Sequence, residues 1–178
     1  MSLASIIRKH AADLSTKVQG KHDPTWPNGC HIAEVEVDPE TGVTDIASYM
    51  SVDDCGHVVS HTIVEGQMHG AVVQGLGQVF GEHIVYDKDS GQMITGSFMD
   101  YVMPRAGKLK SIRMEEYTTL SKLGPLGIKG MGESGCTASL PALVGAVSNA
   151  LGVRHLDMPL TPSKVWAAIQ QKDRKRHV

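Results

Sequence analysis

The residues best suited to chemistry in this sequence lie in one glycine-rich segment near the start of its last third. The segment reads Gly127-Ile128-Lys129-Gly130-Met131-Gly132-Glu133-Ser134-Gly135. Glycine allows a backbone to approach another body closely, and it leaves main-chain N–H groups uncovered. The segment therefore presents bare amides and one isolated carboxylate, Glu133. By itself it fits either an anion-binding nest or a tight connection between two elements.

A second candidate segment, residues 61–81, has helical periodicity and an unusual number of glycines. Four of them fall on one narrow side of a helical wheel, broadly opposite the apolar residues: Gly66, Gly70, Gly77 and Gly81. Each glycine costs a helix interior about 1 kcal/mol relative to alanine, so this side predicts close contact with another backbone or with a flat ligand. Gln67 and Gln74 flank it and can both donate and accept hydrogen bonds. A glycine-lined packing contact with solvated glutamines is the alternative.

The remaining pattern predicts an α+β domain with antiparallel hairpins and packed helices. Helices are expected at residues 3–14, 138–151 and 163–170, besides the helical segment 61–81. Strands are expected at 30–37, 43–52, 93–99 and 112–117. The first two strands form a hairpin through the Asp38–Gly42 turn. Strands grouped together, without strict alternation with helices, favour the α+β class.

Composition narrows the class of protein. The 178 residues include 17 Lys and Arg against 19 Asp and Glu, a net charge of −2, which predicts no nucleic-acid partner. Hydrophobic residues make up 41%, enough for one domain with a real core. The absence of an 18-residue apolar stretch predicts no membrane span. An odd number of cysteines, three, favours a reducing compartment and predicts a cytoplasmic location. Residues 171–178 are expected to form a solvated basic tail.

A set of segments in a fixed order resembles one enzyme family. The segments are Gly66-Gln67-Met68-His69-Gly70, Gln74-Gly75-Leu76-Gly77-Gln78, and Pro125 through Glu133; supporting ones are Pro27 through Asp38, Phe98 through Ala106, and Met158-Pro159-Leu160-Thr161-Pro162. Together they resemble the C-terminal part of the molybdenum-binding subunit of the molybdenum hydroxylases, the family of xanthine dehydrogenase, aldehyde oxidase and aerobic carbon monoxide dehydrogenase. The resemblance covers about residues 3–170. It predicts that residues 1–178 are one domain, or a fragment, of a molybdopterin-binding region.

The resemblance implies roles for individual residues. Glu133 ends the family's Lys-Gly-x-Gly-Glu pattern and takes the position of the catalytic base in the hydroxylation of an electron-poor carbon, with water as the oxygen source. The chemistry requires a carboxylate on a loop too small to block the substrate. Cofactor-binding roles are implied for Gln67 first, then for Gly66, Gly70 and Gln74, and for the backbone of Gly130, Met131 and Gly132. No residue is assigned as a direct metal ligand.

The same resemblance implies cofactors and partners. The complete enzyme would hold a molybdenum–molybdopterin cofactor, and whether it carries a cytidine dinucleotide is left open. Iron–sulfur [2Fe–2S] and FAD centres would lie on partner domains or subunits, and the substrate would be a small molecule such as an N-heterocycle, an aldehyde or carbon monoxide. Because the family's subunit is several times longer, the isolated chain is expected to be inactive and to lack molybdenum.

Three alternatives stay open at this point. The chain could be a non-catalytic association module or a degenerate homologue, although such a copy has little reason to retain a glutamate at position 133. Cys30-His31 and the segment Asp53-Asp54-Cys55-Gly56-His57 contain zinc-type ligands but lack the spacing of a structural zinc site. Lys129 could pair with an anionic cofactor or could serve the structure alone.

Overall fold

The computed structural model describes residues 2–10, 17–20, 23–109 and 111–176, and has the predicted α+β character. Eight elements follow one another along the chain: α1 (Leu3–His10), β1 (Asn28–Val37), β2 (Thr44–Asp54), α2 (His61–Phe80), a 3-10 turn (Ala106–Lys108), β3 (Ile112–Glu116), α3 (Ser134–Leu151) and α4 (Pro162–Arg176).

The predicted hairpin of β1 and β2 is confirmed. Its turn closes through hydrogen bonds from the Asp38 amide to the Val43 carbonyl (2.9 Å) and from the Gly42 amide to the Asp38 carbonyl (2.8 Å). The antiparallel register runs from Asn28 opposite Asp54 to Val37 opposite Thr44, with a bulge at Glu34/Val35. Side chains alternate between half-buried and exposed along β1, as expected for a strand with one covered face.

A strand was predicted at residues 112–117, but the sequence did not predict the direction of its pairing. β3 pairs with β2 in parallel, from Tyr49 opposite Ile112 to Asp53 opposite Glu116, which gives the sheet order β1-β2-β3. The strand predicted at residues 93–99 is wrong. Met93 makes only an isolated bridge to Tyr86, and the chain then turns at Ser97, whose carbonyl accepts hydrogen bonds from the Asp100 and Tyr101 amides. The large apolar side chains of this stretch are exposed, and no strand of the described residues pairs with it.

Two helices, α3 and α4, are longer than predicted. α3 begins four residues before the expected start, because Gly135 at its first turn packs on α2, against Ala71 and Met68. α4 continues through Arg176, so the basic segment is helical as far as that residue; Lys172 donates a 2.5 Å hydrogen bond to the Leu151 carbonyl at the end of α3. α1 is described over Leu3–His10, and the rest of the predicted helix, residues 11–14, lies outside the described residues.

The core lies between the sheet and the helix pair α2–α3. It is built from buried aliphatic side chains and one tyrosine: Ile46, Tyr49, Val72, Leu76, Val79, Leu143, Val147, Leu151, Leu160 and Val165. A smaller cluster of Cys55, Met68 and Met131 packs beneath the glycine-rich segment. Within the described part of the chain, every helix is too short or too polar to cross a membrane.

Candidate functional site

The glycine-rich segment is fixed to the end of β2. The Gly127 carbonyl accepts hydrogen bonds from the His57 and Ser121 amides, each at 3.0 Å, and the Lys129 amide donates to the Cys55 carbonyl at 2.8 Å. Gly127 has φ +66°, a conformation that favours glycine. The main chain of the segment is therefore held by the sheet before α3 begins.

Lys129 has a structural partner. Its Nζ lies 2.6 Å from Asp54 Oδ2 and 2.8 Å from Thr119 Oγ1, and the side chains of Lys129 and Asp54 are only 11% and 6% exposed. The Thr119 hydroxyl also donates to Asp54 Oδ2, while the Thr119 and Gly56 amides donate to Oδ1 at 3.0 and 2.9 Å. Burial alone would raise the pKa of the Asp54 carboxyl, but the hydrogen bonds from Lys129 and Thr119 outweigh it and hold that pKa well below its usual range. The geometry therefore favours the structural role for Lys129.

Glu133 stands where the glycine-rich segment meets α3. It is the N-cap residue, and its carbonyl accepts a 3.1 Å hydrogen bond from the Thr137 amide. Its exposed side chain makes no capping hydrogen bond. The carboxylate thus lies at the positive end of an 18-residue helix. It is not engaged in a capping hydrogen bond to the backbone amides of the first helical turn.

Gln67 on α2 lies beside this segment. A Cβ added to Gly132 would lie 3.6 Å from Gln67 Nε2, so the glutamine amide and the loop backbone are neighbours. Gln67, Gly70 and Gln74 are spaced for one side of α2, and all three are exposed, as is Gly66. The structure therefore brings Gln67 to Glu133's loop, and the other predicted α2 residues continue along the helix from it.

The predicted loop residues divide into two kinds. Gly130 and Gly132 are exposed, and nothing lies within 4 Å of the position that a Cβ on Gly130 would occupy among the described residues. Met131 is 9% exposed and packs inward on Cys55 and Met68. Only its backbone can face a ligand.

The helical wheel predicted that the glycines of α2 form one contact face, but only some of them lie against other residues. Gly77 and Gly81 are crowded as expected, by Pro104 and Val102 respectively, but positions for a Cβ on Gly66 and Gly70 meet no described atom within 4 Å. The closest helix contact instead uses Gly75. A Cβ there would collide with Ser139 Oγ and lie 3.1 Å from Leu140 Cδ1 of α3.

The zinc hypothesis finds no support in the geometry. Among the described residues, no three His, Cys, Asp or Glu side chains are grouped to hold a metal ion, so the hypothesis for Cys30, His31 and residues 53–57 lacks a site.

A cavity of about 530 Å³ adjoins Glu133. One wall is residues 25–29, and the opposite wall is the end of the glycine-rich segment with the first turn of α3. The Gly130 amide donates a 3.3 Å hydrogen bond to Thr25 Oγ1 and joins the two walls. Asp53, from the end of β2, also lines the cavity.

Comparison with known proteins identifies the family of this site. Residues 6–110 match the molybdopterin cofactor-binding domain family. The chain belongs to this family. The chain is 39% identical over 156 residues to the nicotine 6-hydroxylase large subunit of Paenarthrobacter nicotinovorans. This alignment covers 86% of the chain and 19% of that subunit. To the carbon monoxide dehydrogenase large chain of Hydrogenophaga pseudoflava it is 33% identical, over 84% of the chain and 19% of the relative.

Solved structures agree with the sequence relatives. The Cu,Mo-CO dehydrogenase superimposes with a TM-score of 0.79 at 31% identity, covering 84% of this chain and 20% of that one. Quinoline 2-oxidoreductase from Pseudomonas putida 86 gives a TM-score of 0.77 at 39% identity, covering 82% and 19%. The fold is thus that of a molybdenum-cofactor-binding domain, and the chain spans about a fifth of the length of the molybdenum hydroxylase large subunits that it matches.

Sequence reasoning missed two arrangements that support the site. The sequence suggested only a zinc-ligand role for Asp53 and Asp54. In the structure, Asp54 forms an ion pair with Lys129, and Asp53 contacts His31. The partners of Asp54, Thr119 and Lys129, are 65 and 75 residues away in sequence. A short-range motif search has no means of pairing them.

Proposed function

We propose that this chain is the part of a molybdenum hydroxylase that carries the catalytic base, Glu133, and one wall of the molybdopterin site. The observation that supports it most is the juxtaposition of the Glu133 loop with Gln67. Two segments more than 60 residues apart, each singled out for its residue types, are neighbours: Met131 packs with Met68, and a Cβ added to Gly132 would lie 3.6 Å from Gln67 Nε2. The match of residues 6–110 to the molybdopterin cofactor-binding domain family, which includes Gln67, supports the pterin part of this assignment.

The residues present fit a pterin. Gly66, Gly70 and Gly130 are exposed and border open space where side chains would otherwise project, which leaves room for a flat ring close to the backbone. Gln67 supplies an amide that can donate and accept hydrogen bonds, as the mixed donor and acceptor edge of a pterin requires. Gln74 and the Gly130–Gly132 backbone extend this wall.

Hydroxylation replaces a C–H bond of the substrate by a C–O bond to an oxygen from water, and two electrons and two protons leave. Oxidation of carbon monoxide breaks no C–H bond, but it also adds the oxygen of one water and releases two electrons and two protons. The molybdenum cofactor, when bound, accepts the two electrons. Glu133 takes a proton from the water that supplies the oxygen, which makes that oxygen nucleophilic. Its exposed position at the start of α3, on a loop of glycines, leaves the approach to its carboxylate unobstructed by neighbouring side chains.

The rest of the site comes from other parts of the large subunit. Large apolar side chains are exposed in two places. After α2, Phe98 is 76% and Met99 is 88% exposed. Near the glycine-rich segment, Tyr117 is 75% and Leu120 is 67% exposed. Exposed apolar surface of this extent marks an interaction surface. We assign it to the remaining large-subunit residues. Under this proposal, [2Fe–2S] and FAD centres on other domains or subunits would take the electrons. The names of two relatives, "large subunit" and "large chain", imply further subunits in those proteins.

The test is Glu133→Gln in the complete enzyme that contains this chain. The amide keeps the size of the side chain but cannot accept the proton. Turnover of a substrate panel (quinoline, xanthine, benzaldehyde and carbon monoxide, with a dye as electron acceptor) should fall about 10²- to 10⁴-fold, while molybdenum content stays unchanged.

Glu40→Gln is the matched control, because Glu40 is an exposed glutamate in the β1–β2 turn, remote from the glycine-rich segment. It should leave turnover unchanged. Near-normal turnover of Glu133→Gln with full molybdenum content would remove Glu133 as the base and favour a non-catalytic association module.

A further inference from the structure

The glycine-rich segment has few side chains of its own to fix the position of Glu133. Four of the nine residues from Gly127 to Gly135 are glycines, and glycine leaves a backbone more conformational freedom than any other residue. The Glu133 side chain makes no capping hydrogen bond. A catalytic group has to be held within about 0.5 Å of its productive position, so contacts elsewhere along the segment have to supply that precision.

Three anchored residues alternate with glycines in this segment. At its end, the Glu133 carbonyl accepts hydrogen bonds from the amide and the hydroxyl of Thr137, both at 3.1 Å. In the middle, Met131 is 9% exposed and packs inward. Before it, Lys129 has a charged side chain that is only 11% exposed. Lys129 is therefore the anchor that fixes the segment before its two most exposed glycines.

The partner of Lys129 is itself held from several sides. Asp54 Oδ1 accepts hydrogen bonds from the Gly56 and Thr119 amides, and Oδ2 accepts those of the Thr119 hydroxyl and Lys129 Nζ. Asp54 is the last residue of β2. The carboxylate cannot turn without breaking several of these bonds, so Lys129 ties the segment to a rigid point at the end of the sheet.

Lys129 does not itself face the cavity beside Glu133. The described residues that line this cavity include Gly130 and Gly132 but not Lys129, and the Lys129 ammonium is bonded to Asp54 and Thr119. An effect of Lys129 on the reaction therefore has to pass through the main chain that leads from it to Glu133.

We infer that Lys129 is a positioning residue for Glu133: its ion pair with Asp54 holds the main chain where the Glu133 carboxylate can take up its proton. The inference rests on the proposed function, which makes Glu133 the base. It goes beyond support of the fold, because it makes the geometry of one catalytic group depend on the pair. A displacement of about 1 Å at such a group lowers a rate by about 10²-fold.

The experiment compares two variants of the complete enzyme that contains this chain. Lys129→Met leaves the Asp54 carboxylate buried and unpaired, whereas Lys129→Met combined with Asp54→Asn removes both charges and avoids that penalty. Both variants lack the anchor, so both should lower kcat about 10- to 100-fold, with KM and molybdenum content unchanged. Lys88→Met, which removes a lysine from the exposed Asp87–Gly91 turn, is the control and should leave kcat unchanged.

The same substitutions are then made together with Glu133→Gln. If Lys129 acts through the Glu133 carboxylate, its replacement should cause no further fall in kcat once that base is absent, which a double-mutant cycle measures. An equal fall with and without Glu133→Gln would overturn the inference.

Two other results would assign Lys129 to the fold alone. One is recovery of kcat when Asp54→Asn is added to Lys129→Met, because the unpaired charge would then be the cause of the loss. The other is loss of molybdenum together with kcat in both variants. Near-normal turnover of Glu133→Gln alone is a separate result, since it removes the base and the inference with it. A strong effect of Glu133→Gln with an independent effect of Lys129→Met removes the inference only.

Discussion

Replacement of glycine by alanine should have opposite effects on the stability of the chain at two positions of α2, Gly66 and Gly75. A methyl group on Gly66 would meet no described atom within 4 Å, whereas one on Gly75 would strike Ser139 Oγ and lie 3.0 Å from Ser139 Cβ and 3.1 Å from Leu140 Cδ1. Ser139 is fully buried, and its hydroxyl donates to the Cys136 carbonyl at 3.0 Å. The hydroxyl cannot rotate away without losing that bond, and the Cβ atom cannot move without separating α2 from α3.

The magnitudes follow from two terms. Alanine is favoured over glycine in a helix interior by about 1 kcal/mol, and this gain is common to both variants. Overpacking a filled interior costs about 1–3 kcal/mol, and only Gly75→Ala incurs it. Gly66→Ala should therefore raise the free energy of unfolding by up to about 1 kcal/mol, and Gly75→Ala should lie about 1–3 kcal/mol below Gly66→Ala.

Urea and thermal unfolding of the 178-residue chain measure both effects, with about 2–4 °C in Tm expected per kcal/mol. Adding Ser139→Ala to Gly75→Ala should restore part of the loss, because the hydroxyl collision disappears while the Cβ contact remains; a double-mutant cycle isolates this coupling. If Gly75→Ala stabilised the chain as much as Gly66→Ala does, the close approach of α2 and α3 at this point would be refuted.

Three further predictions concern the site. Lys129→Met should cost about 3–5 kcal/mol at pH 7, since it leaves the buried Asp54 carboxylate unpaired. Because the folded-state pKa of Asp54 lies well below its unfolded value near 4, the unfolded chain binds more protons as the pH falls through that value. The contribution of this pair is therefore complete above about pH 5 and is lost progressively as the pH falls below about 4 towards the folded-state pKa. The difference in unfolding free energy between the variant and the unaltered chain should narrow there, and a constant difference would contradict this account. In the complete enzyme, Gln67→Leu should lower the molybdenum and pterin content, while Gln78→Leu, an exposed glutamine further along α2, should not; equal loss in both would indicate general damage to the helix. The purified chain should contain far less than one molybdenum by elemental analysis, and a stoichiometric content would show that it binds the cofactor unaided.

The local features of this fold could be predicted from the sequence because their causes are local. The Asp38–Gly42 turn carries its own proline and glycine, and the hairpin it closes is present as expected. The apolar spacing of α2 and α3 likewise predicts helices, because burial on one side recurs at helical period. Glu133 and Gln67 were singled out on residue type and resemblance, and the fold places their segments side by side.

Long-range pairing accounts for the errors. Nothing in residues 112–117 specifies whether β2 accepts them in parallel or antiparallel, and the choice depends on the path of the intervening chain. Residues 93–99 follow a turn and carry apolar residues at both ends, but no strand of the described part of the chain pairs with them beyond the isolated Tyr86–Met93 bridge. The role of Gly75 was missed for a related reason, since a helical wheel shows which residues share a side but not which other helix lies against it.

The Asp54, Thr119 and Lys129 cluster also sets the order in which the molecule can form. The hairpin closes over a few residues, whereas the cluster joins positions 65 and 75 residues apart and holds the glycine-rich segment against the end of β2. Closing so long a loop costs more chain entropy than closing a hairpin, and contacts of this kind slow folding. The pairing of β3 with β2 and the contact of Gly75 with Ser139 span 63 and 64 residues, so they belong to the same slow class of contacts as this cluster. Glu133 therefore takes its position later than the β1–β2 hairpin, together with the rest of the long-range structure. A newly made chain would form the hairpin before it forms the site, and the wall that a cofactor needs is complete only after these long loops close.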